Sequence, residues 1–162
     1  MSIIWERSCT RQKWDLDRDL AVKQVGANGS NRTDWYRAVE YERLGMEKEA
    51  VEEWARVARL YGYDHVSDMA LHAYTRSGYK AALYALVKAL EKEPGAHAMF
   101  PTFIAHFYGE LNHRDQAFAW LEKAYELRTG DMQFLKVDPL GSENLRSDPR
   151  FADLVHRMGL PQ

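Results

Sequence analysis

The architecture of the chain is clearest in the segment FPTFIAHFYGELNHRDQAFAWLEKAYELR, which runs from Phe100 to Arg128. Apolar residues recur at helical spacing in its first half, and they do so again in its second half. The first set is Phe103, Ile104, Phe107, Tyr108 and Leu111, and the second is Ala117, Phe118, Leu121, Ala124 and Tyr125. A short polar connection, residues 112–115, separates the halves. A connection of this length favours two antiparallel helices that contact each other.

The same helix–turn–helix pattern occurs twice upstream. Helices are predicted over Asp34–Leu44 and Lys48–Tyr61, and a second pair over His65–Arg76 and Tyr79–Glu93. The turns and ends of these helices contain glycine, which enters the left-handed region without a steric cost. Pro94-Gly95 is predicted to end the last of the four helices.

Each of the three pairs carries two alanines that are twelve positions apart. They are Ala38 and Ala50, Ala70 and Ala82, and Ala105 and Ala117. Small side chains at a helix crossing let the two backbones approach closely, with larger residues on either side. Successive alanine pairs are offset by 32 and then 35 residues, which matches a two-helix repeat of about 34 residues.

Segments of a different kind flank the three pairs. Residues 3–25 are predicted to contain a helix with one broad apolar face, and a break rich in Gly and Asn follows at residues 26–31. This N-terminal helical segment is either the second helix of a degenerate first unit or a cap. Near the other end, Asp148 is predicted to cap a helix with Pro149 in its first turn. That helix is interpreted as a terminal cap, because a helical stack exposes its core at each end.

Composition narrows the class of protein. The chain has 162 residues, of which 46% are hydrophobic and 28% charged, and its net charge is −2. One domain is expected at this length, and the missing basic surplus argues against nucleic acid as the partner. Its single cysteine, Cys9, cannot form an internal disulfide, there is no signal-peptide pattern, and the apolar run Ala81–Leu90 is too short to span a bilayer. The expected location is therefore cytoplasmic.

The three pairs resemble tetratricopeptide repeats. The matching positions are two small residues per unit, named above, a bulky residue four later (Trp54, Leu86, Leu121) and a first-helix tyrosine in two units (Tyr41, Tyr108). The chain departs from the pattern at Arg37, where an apolar residue is usual, and at Ala73, which replaces the tyrosine. Only Pro94 keeps the terminal proline. The segments AFAWLEKAYE, FLKVDP and LRSDPRFADLVHRMGLP resemble the C-terminal end of bacterial multi-repeat proteins of this class.

This resemblance implies an all-α, right-handed α-solenoid of about three antiparallel helix pairs. Its units would be residues 31–62, 63–95 and 98–130, between an N-terminal helical cap (1–30) and a C-terminal capping helix (131–162). By the resemblance, first helices line a concave groove that binds a peptide or a partner helix. The groove residues would be Arg32, Trp35, Val39, Glu42, Arg43, Leu71, Tyr74, Thr75, Thr102, His106 and Glu110.

Within this set, aromatic and arginine side chains are the usual binding anchors, which favours Trp35, Tyr74 and Arg43. The alternative for the two aromatics is burial against the N-terminal segment. A second hypothesis for the whole chain is self-association as a homodimer, with the groove filled by the N-terminal segment of the same or a neighbouring copy.

No catalytic residues, metal ligands or cofactors are predicted. His65 and His72 are seven positions apart and could share a helical face, but no third ligand stands at a suitable spacing. The sequence contains no phosphate-binding glycine loop and no set of nucleophile, base and orienting residue. An enzyme with a dispersed active site is a third hypothesis, which a pocket with several perturbed titrating groups would support. The leading expectation is a non-enzymatic scaffold for protein–protein interaction, without nucleic acid or membrane as a partner.

Overall fold

A computed structural model describes residues 31–136 and 144–159 of the chain. Throughout these two ranges the regular structure is helical, as the sequence predicts. The helices are α1 (Asn31–Arg43), α2 (Glu47–Leu60), α3 (Asp64–Ser77), α4 (Tyr79–Leu90), α5 (Pro94–Met99), α6 (Pro101–Glu110), α7 (Arg114–Glu126) and α8 (Pro149–Arg157), with a 3-10 turn at Met132–Phe134. The predicted N-terminal segment, residues 1–30, lies outside the described residues.

Neighbouring helices pack against each other in sequence order. The main contacts join α1 to α2, α2 to α3, α3 to α4, and α6 to α7, while α4 contacts both α2 and α6. Helix α4 is therefore covered on three sides, as its nearly continuous apolar sequence predicts. The short α5 packs on α6, and α8 packs on α7.

The alanines of the three pairs lie at the centre of this packing. All six have a relative exposure of 0%: Ala38, Ala50, Ala70, Ala82, Ala105 and Ala117. The small alanine side chains thus allow the two helix backbones of each pair to approach closely where they cross. The departure at Arg37 also has a structural reason, because its Nε lies 3.6 Å from a carboxylate oxygen of Glu53 on α2.

One turn geometry ends four of the helices. Each turn has a residue with positive φ, followed by an N–H that donates to the carbonyl five residues earlier, as in a Schellman motif. The positive-φ residues are Gly45 (69°), Gly62 (82°), Asn112 (61°) and Arg128 (51°). The corresponding hydrogen bonds, from Met46 to Tyr41, Tyr63 to Ala58, His113 to Tyr108 and Thr129 to Ala124, are 2.8–3.1 Å long. Glycine marks only two of these four turns in the sequence, at Gly45 and Gly62, because Asn112 and Arg128 take the same position in the other two.

The prediction for Pro94-Gly95 is wrong. Helix α4 ends at Leu90, and Pro94 begins the short helix α5. Proline is favourable in a first helical turn because its missing N–H would have no intrahelical partner there. Phe100, with φ −131° and ψ 34°, separates α5 from α6.

The predicted C-terminal helix is confirmed. The Asp148 carboxylate accepts a hydrogen bond of 3.1 Å from the Arg150 N–H, which is the expected N-cap contact. Phe151, Leu154 and Val155 are buried on the side that faces the rest of the protein. None of the described helices combines the length and the hydropathy that crossing a membrane requires.

Candidate functional site

The Glu42 carboxylate connects four helices. Its side chain is 7% exposed, and it accepts hydrogen bonds from Trp54 Nε1 at 2.8 Å, from the Tyr79 hydroxyl at 2.5 Å and from His106 Nε2 at 2.8 Å. The three donors belong to α2, α4 and α6. A single carboxylate of α1 therefore links the first, second and third helix pairs.

The surroundings of Glu42 keep it ionised. Burial alone would raise the pKa of its carboxyl, but the charge of His106 and the hydrogen bonds from His106, Tyr79 and Trp54 outweigh burial and lower that pKa. Burial, followed by the negative charge of Glu42, raises the pKa of the Tyr79 hydroxyl far above its usual range. Both Glu42 oxygens have donors, so the cluster joins four helices through hydrogen bonds to one ionised carboxylate.

Helical spacing explains why Glu42 faces this way. Trp35, Val39 and Glu42 stand at positions i, i+4 and i+7 of α1 and so share one face. On that face the Trp35 ring packs edge-on against Phe103 of α6, with 3.8 Å between ring centres. The face of α1 that was expected to line a groove therefore contacts α6 directly.

The residues of the predicted groove fall into two groups. Val39, Thr102 and His106 are buried, as is the Glu42 side chain, and these side chains contact other helices of the chain. The other group is half-buried or exposed: Trp35, Arg43, Leu71, Tyr74, Thr75 and Glu110. Arg32 lies in α1, and its side chain is outside what the structure describes. The binding role of the second group stays a prediction.

Two groove residues on α6 hold the C-terminal part of the chain. The Thr102 hydroxyl donates a hydrogen bond to Asp131. The Glu110 carboxylate accepts one of 2.9 Å from the Asn144 amide. These contacts at either end of α6 attach the segment that follows α7.

The indole of Trp35, one of the predicted groove residues, has a buried polar atom. Its Nε1–H is buried and has no acceptor in the described part of the chain. A buried donor without an acceptor costs roughly 1–3 kcal/mol. Such a group favours the approach of a carbonyl or carboxylate oxygen.

A second polar cluster was not predicted from the sequence. Glu91, just after α4, accepts hydrogen bonds from the Tyr108 hydroxyl at 2.5 Å and from Lys88 Nζ at 2.8 Å. Lys88 Nζ also donates to the Tyr108 hydroxyl at 2.9 Å. The spacing of Lys88 and Glu91, three positions apart, is a visible signal, but nothing in the sequence pairs them with Tyr108.

The histidines considered as ligands lie apart from any metal-binding arrangement. His65 Nε2 is 3.0 Å from a Glu93 carboxylate oxygen, and His72 is exposed. Over the ranges 31–136 and 144–159, no three or more His, Cys, Asp or Glu side chains converge in a way that could hold a metal ion.

Comparison of the chain with protein-family models, curated proteins and solved structures finds no match. The tetratricopeptide resemblance therefore remains a prediction that rests on the residues quoted above.

Proposed function

We propose that the chain is a non-enzymatic, cytoplasmic scaffold that binds a peptide or a partner helix. In this proposal its helix pairs form a right-handed solenoid of tetratricopeptide type, and first helices supply the groove. Scaffolds of this architecture present an extended helical surface and need no reactive side chains.

The observation that carries the proposal is the repeated construction of the helix pairs. Four helices end in one turn geometry, and each pair closes on two fully buried alanines. A chain built from one repeated unit exposes equivalent helix faces side by side, and such faces are suited to binding an elongated ligand.

Three features support a binding surface that includes Arg43, Tyr74 and Trp35. Arg43 is exposed at the end of α1, Tyr74 is half-buried on α3, and the Trp35 indole N–H has no acceptor in the described part of the chain. Tryptophan, tyrosine and arginine are the side chains that contribute most at interfaces. A partner carbonyl that reached the Trp35 indole would satisfy its N–H, and a partner carboxylate could meet Arg43.

The test uses a double variant, Arg43→Ala with Tyr74→Ala, in a pull-down from lysate of the source organism. These two residues are chosen because Trp35 packs on Phe103, so that its removal would disturb the fold. The wild type is expected to retain a partner that the double variant loses.

The matched control is Arg59→Ala with Leu60→Ala, which removes an exposed arginine and an exposed apolar residue from the end of α2. Circular dichroism must show equal helicity for all three proteins. Capture of the same partner by the groove variant and by the control would refute binding at this surface.

Self-association is the second candidate, and exposed apolar side chains of the first pair favour it. Tyr36 and Leu44 are both more than one third exposed. In that case the mass measured by light scattering rises with concentration, and Leu44→Glu lowers it. A constant monomer mass over the concentration range would exclude this candidate.

A further inference from the structure

A second surface of the protein combines lysines with aromatic rings. It is formed by Lys80, Tyr84 and Lys88 of α4, Lys92 just beyond that helix, and Trp120 and Lys123 of α7, and we call it the lysine–aromatic face. Lys80, Tyr84 and Lys88 stand four positions apart, so they form one stripe along α4. None of these residues belongs to the predicted groove.

Contacts between α4, α6 and α7 make this face continuous. Lys88 Nζ lies 5.8 Å from the centre of the Tyr84 ring and 5.5 Å from that of the Tyr108 ring. On α7, Lys123 Nζ lies 4.4 Å from the centre of the Trp120 ring. Each distance is within the range of a cation–π contact.

His97 of α5 bridges the two halves of the face. Its Nε2 donates a hydrogen bond of 2.5 Å to the Glu91 carbonyl oxygen beside Lys88, and its ring centre lies 5.2 Å from that of Trp120. The aromatic and cationic groups are therefore held in place by contacts from three helices.

Positive charge on this face exceeds negative charge. Lys88 is paired with Glu91 at 2.8 Å. The Glu122 carboxylate, next to Lys123 in sequence, is paired with Arg157, and that of Glu93 contacts His65. Lys80, Lys92 and Lys123 have no carboxylate within salt-bridge distance in the described part of the chain.

We propose that the lysine–aromatic face binds an acidic segment of another protein. Carboxylates of that segment pair with Lys80, Lys92 and Lys123, and its apolar groups pack on the half-exposed Tyr84 and on Trp120.

The geometry favours an acidic protein segment over nucleic acid. Single-stranded nucleic acid binds by stacking its bases on open aromatic faces. Here Lys88 and Lys123 of the chain itself lie over the Tyr84 and Trp120 rings, which leaves less open ring face for a base to stack on. The net charge of −2 also repels a phosphate backbone outside this face.

The experiment measures the fluorescence anisotropy of a labelled peptide in which Glu alternates with Leu and Ala. A peptide with Gln in place of each Glu is the uncharged probe, and labelled single-stranded oligothymidine is the nucleic-acid probe. The acidic peptide is expected to bind the full chain, to bind more weakly as salt is raised, and to shift the NMR signal of the Trp120 indole N–H.

The variant that tests the site is Lys80→Gln, Lys92→Gln, Lys123→Gln, with Lys48→Gln, Arg59→Gln, Arg76→Gln as the matched control. Each triple variant removes three positive charges; Lys123 is half-buried and the other five residues are exposed. The first is expected to weaken peptide binding about tenfold and the control less than twofold. Equal weakening by both, absence of binding, equal binding of the Gln peptide, or tighter binding of oligothymidine would each overturn the proposal.

Discussion

Glu42 and Glu91 each accept a hydrogen bond of 2.5 Å from a tyrosine hydroxyl and a second from a nitrogen of a basic side chain. Their surroundings differ. The Glu42 side chain is 7% exposed and its partner His106 is 2% exposed, whereas Glu91 is 25% exposed and Lys88 is 43% exposed. Similar contacts thus occur once inside the protein and once at its surface. The comparison separates the effect of burial from the effect of hydrogen-bond chemistry.

The largest expected effect is that of Glu42→Ala. The substitution leaves Trp54 Nε1, the Tyr79 hydroxyl and His106 without their acceptor in the protein interior. Removing one partner of a buried ion pair costs about 3–5 kcal/mol, so the free energy of unfolding in urea should fall by about that amount. Glu40→Ala, two positions earlier in α1 and exposed, should change it by less than about 0.5 kcal/mol. A similar small loss for both variants would show that the Glu42 cluster does not stabilise the fold.

A smaller effect on the free energy of unfolding is expected when the pH is lowered. The pKa of Glu42 is lowered from 4.5 in the folded protein, so its ionised form is stabilised by folding. That contribution is fully present above about pH 4.5 and is lost as the pH falls through the folded-state pKa. Stability measured from pH 7 to pH 3 should therefore decline more steeply in the wild type than in Glu42→Gln. Identical slopes for the two proteins would contradict the assignment, and Glu40→Gln serves as the control.

Glu91→Ala should lower the free energy of unfolding by less than Glu42→Ala does. Water can replace the lost partner of Lys88, but the buried Tyr108 hydroxyl loses its acceptor, so about 1–2 kcal/mol is expected from urea unfolding. The ratio of the two losses in unfolding free energy, from Glu42→Ala and from Glu91→Ala, measures how much burial strengthens these contacts. A loss from Glu91→Ala as large as that from Glu42→Ala would mean that hydrogen-bond chemistry, rather than burial, dominates.

The smallest expected effect on the free energy of unfolding is that of the turn after α7. Arg128 has a φ of 51°, which is unfavourable for a residue with a side chain. Arg128→Gly should raise the free energy of unfolding by about 0.5–1 kcal/mol. The reverse change at the equivalent turn, Gly45→Ala, should lower it by a similar amount because φ there is 69°. Destabilisation by Arg128→Gly would show that the arginine side chain makes a contact worth more than the strain.

The sequence predicts the helix pairs well because their signals are local. Helical spacing of apolar residues, alanines at the crossings and a proline after Asp148 each act within one or two turns of helix. The start of α5 at Pro94 was missed because proline marks either the end of one helix or the first turn of the next, and only packing distinguishes the two.

Contacts between helices that are far apart in sequence could not be predicted in the same way. Glu42 and His106 were both assigned to the inner face, but they are 64 positions apart, and periodicity shows which residues share a face rather than which faces meet. The positive φ of Asn112 and Arg128 was also missed, since neither residue carries the glycine signal. The binding roles of Arg43, Tyr74 and Trp35 stay predictions that the proposed variants test.

The Glu42 cluster also has a consequence for the order of events during synthesis. Its acceptor lies on α1, while its donors come from positions 54, 79 and 106, so the last donor leaves the ribosome long after the carboxylate. Until α6 has emerged, the carboxylate is better solvated by water than by an incomplete set of partners. The first helix pair therefore completes its packing only when the third pair arrives, and a nascent chain stalled before His106 should remain accessible to protease at α1.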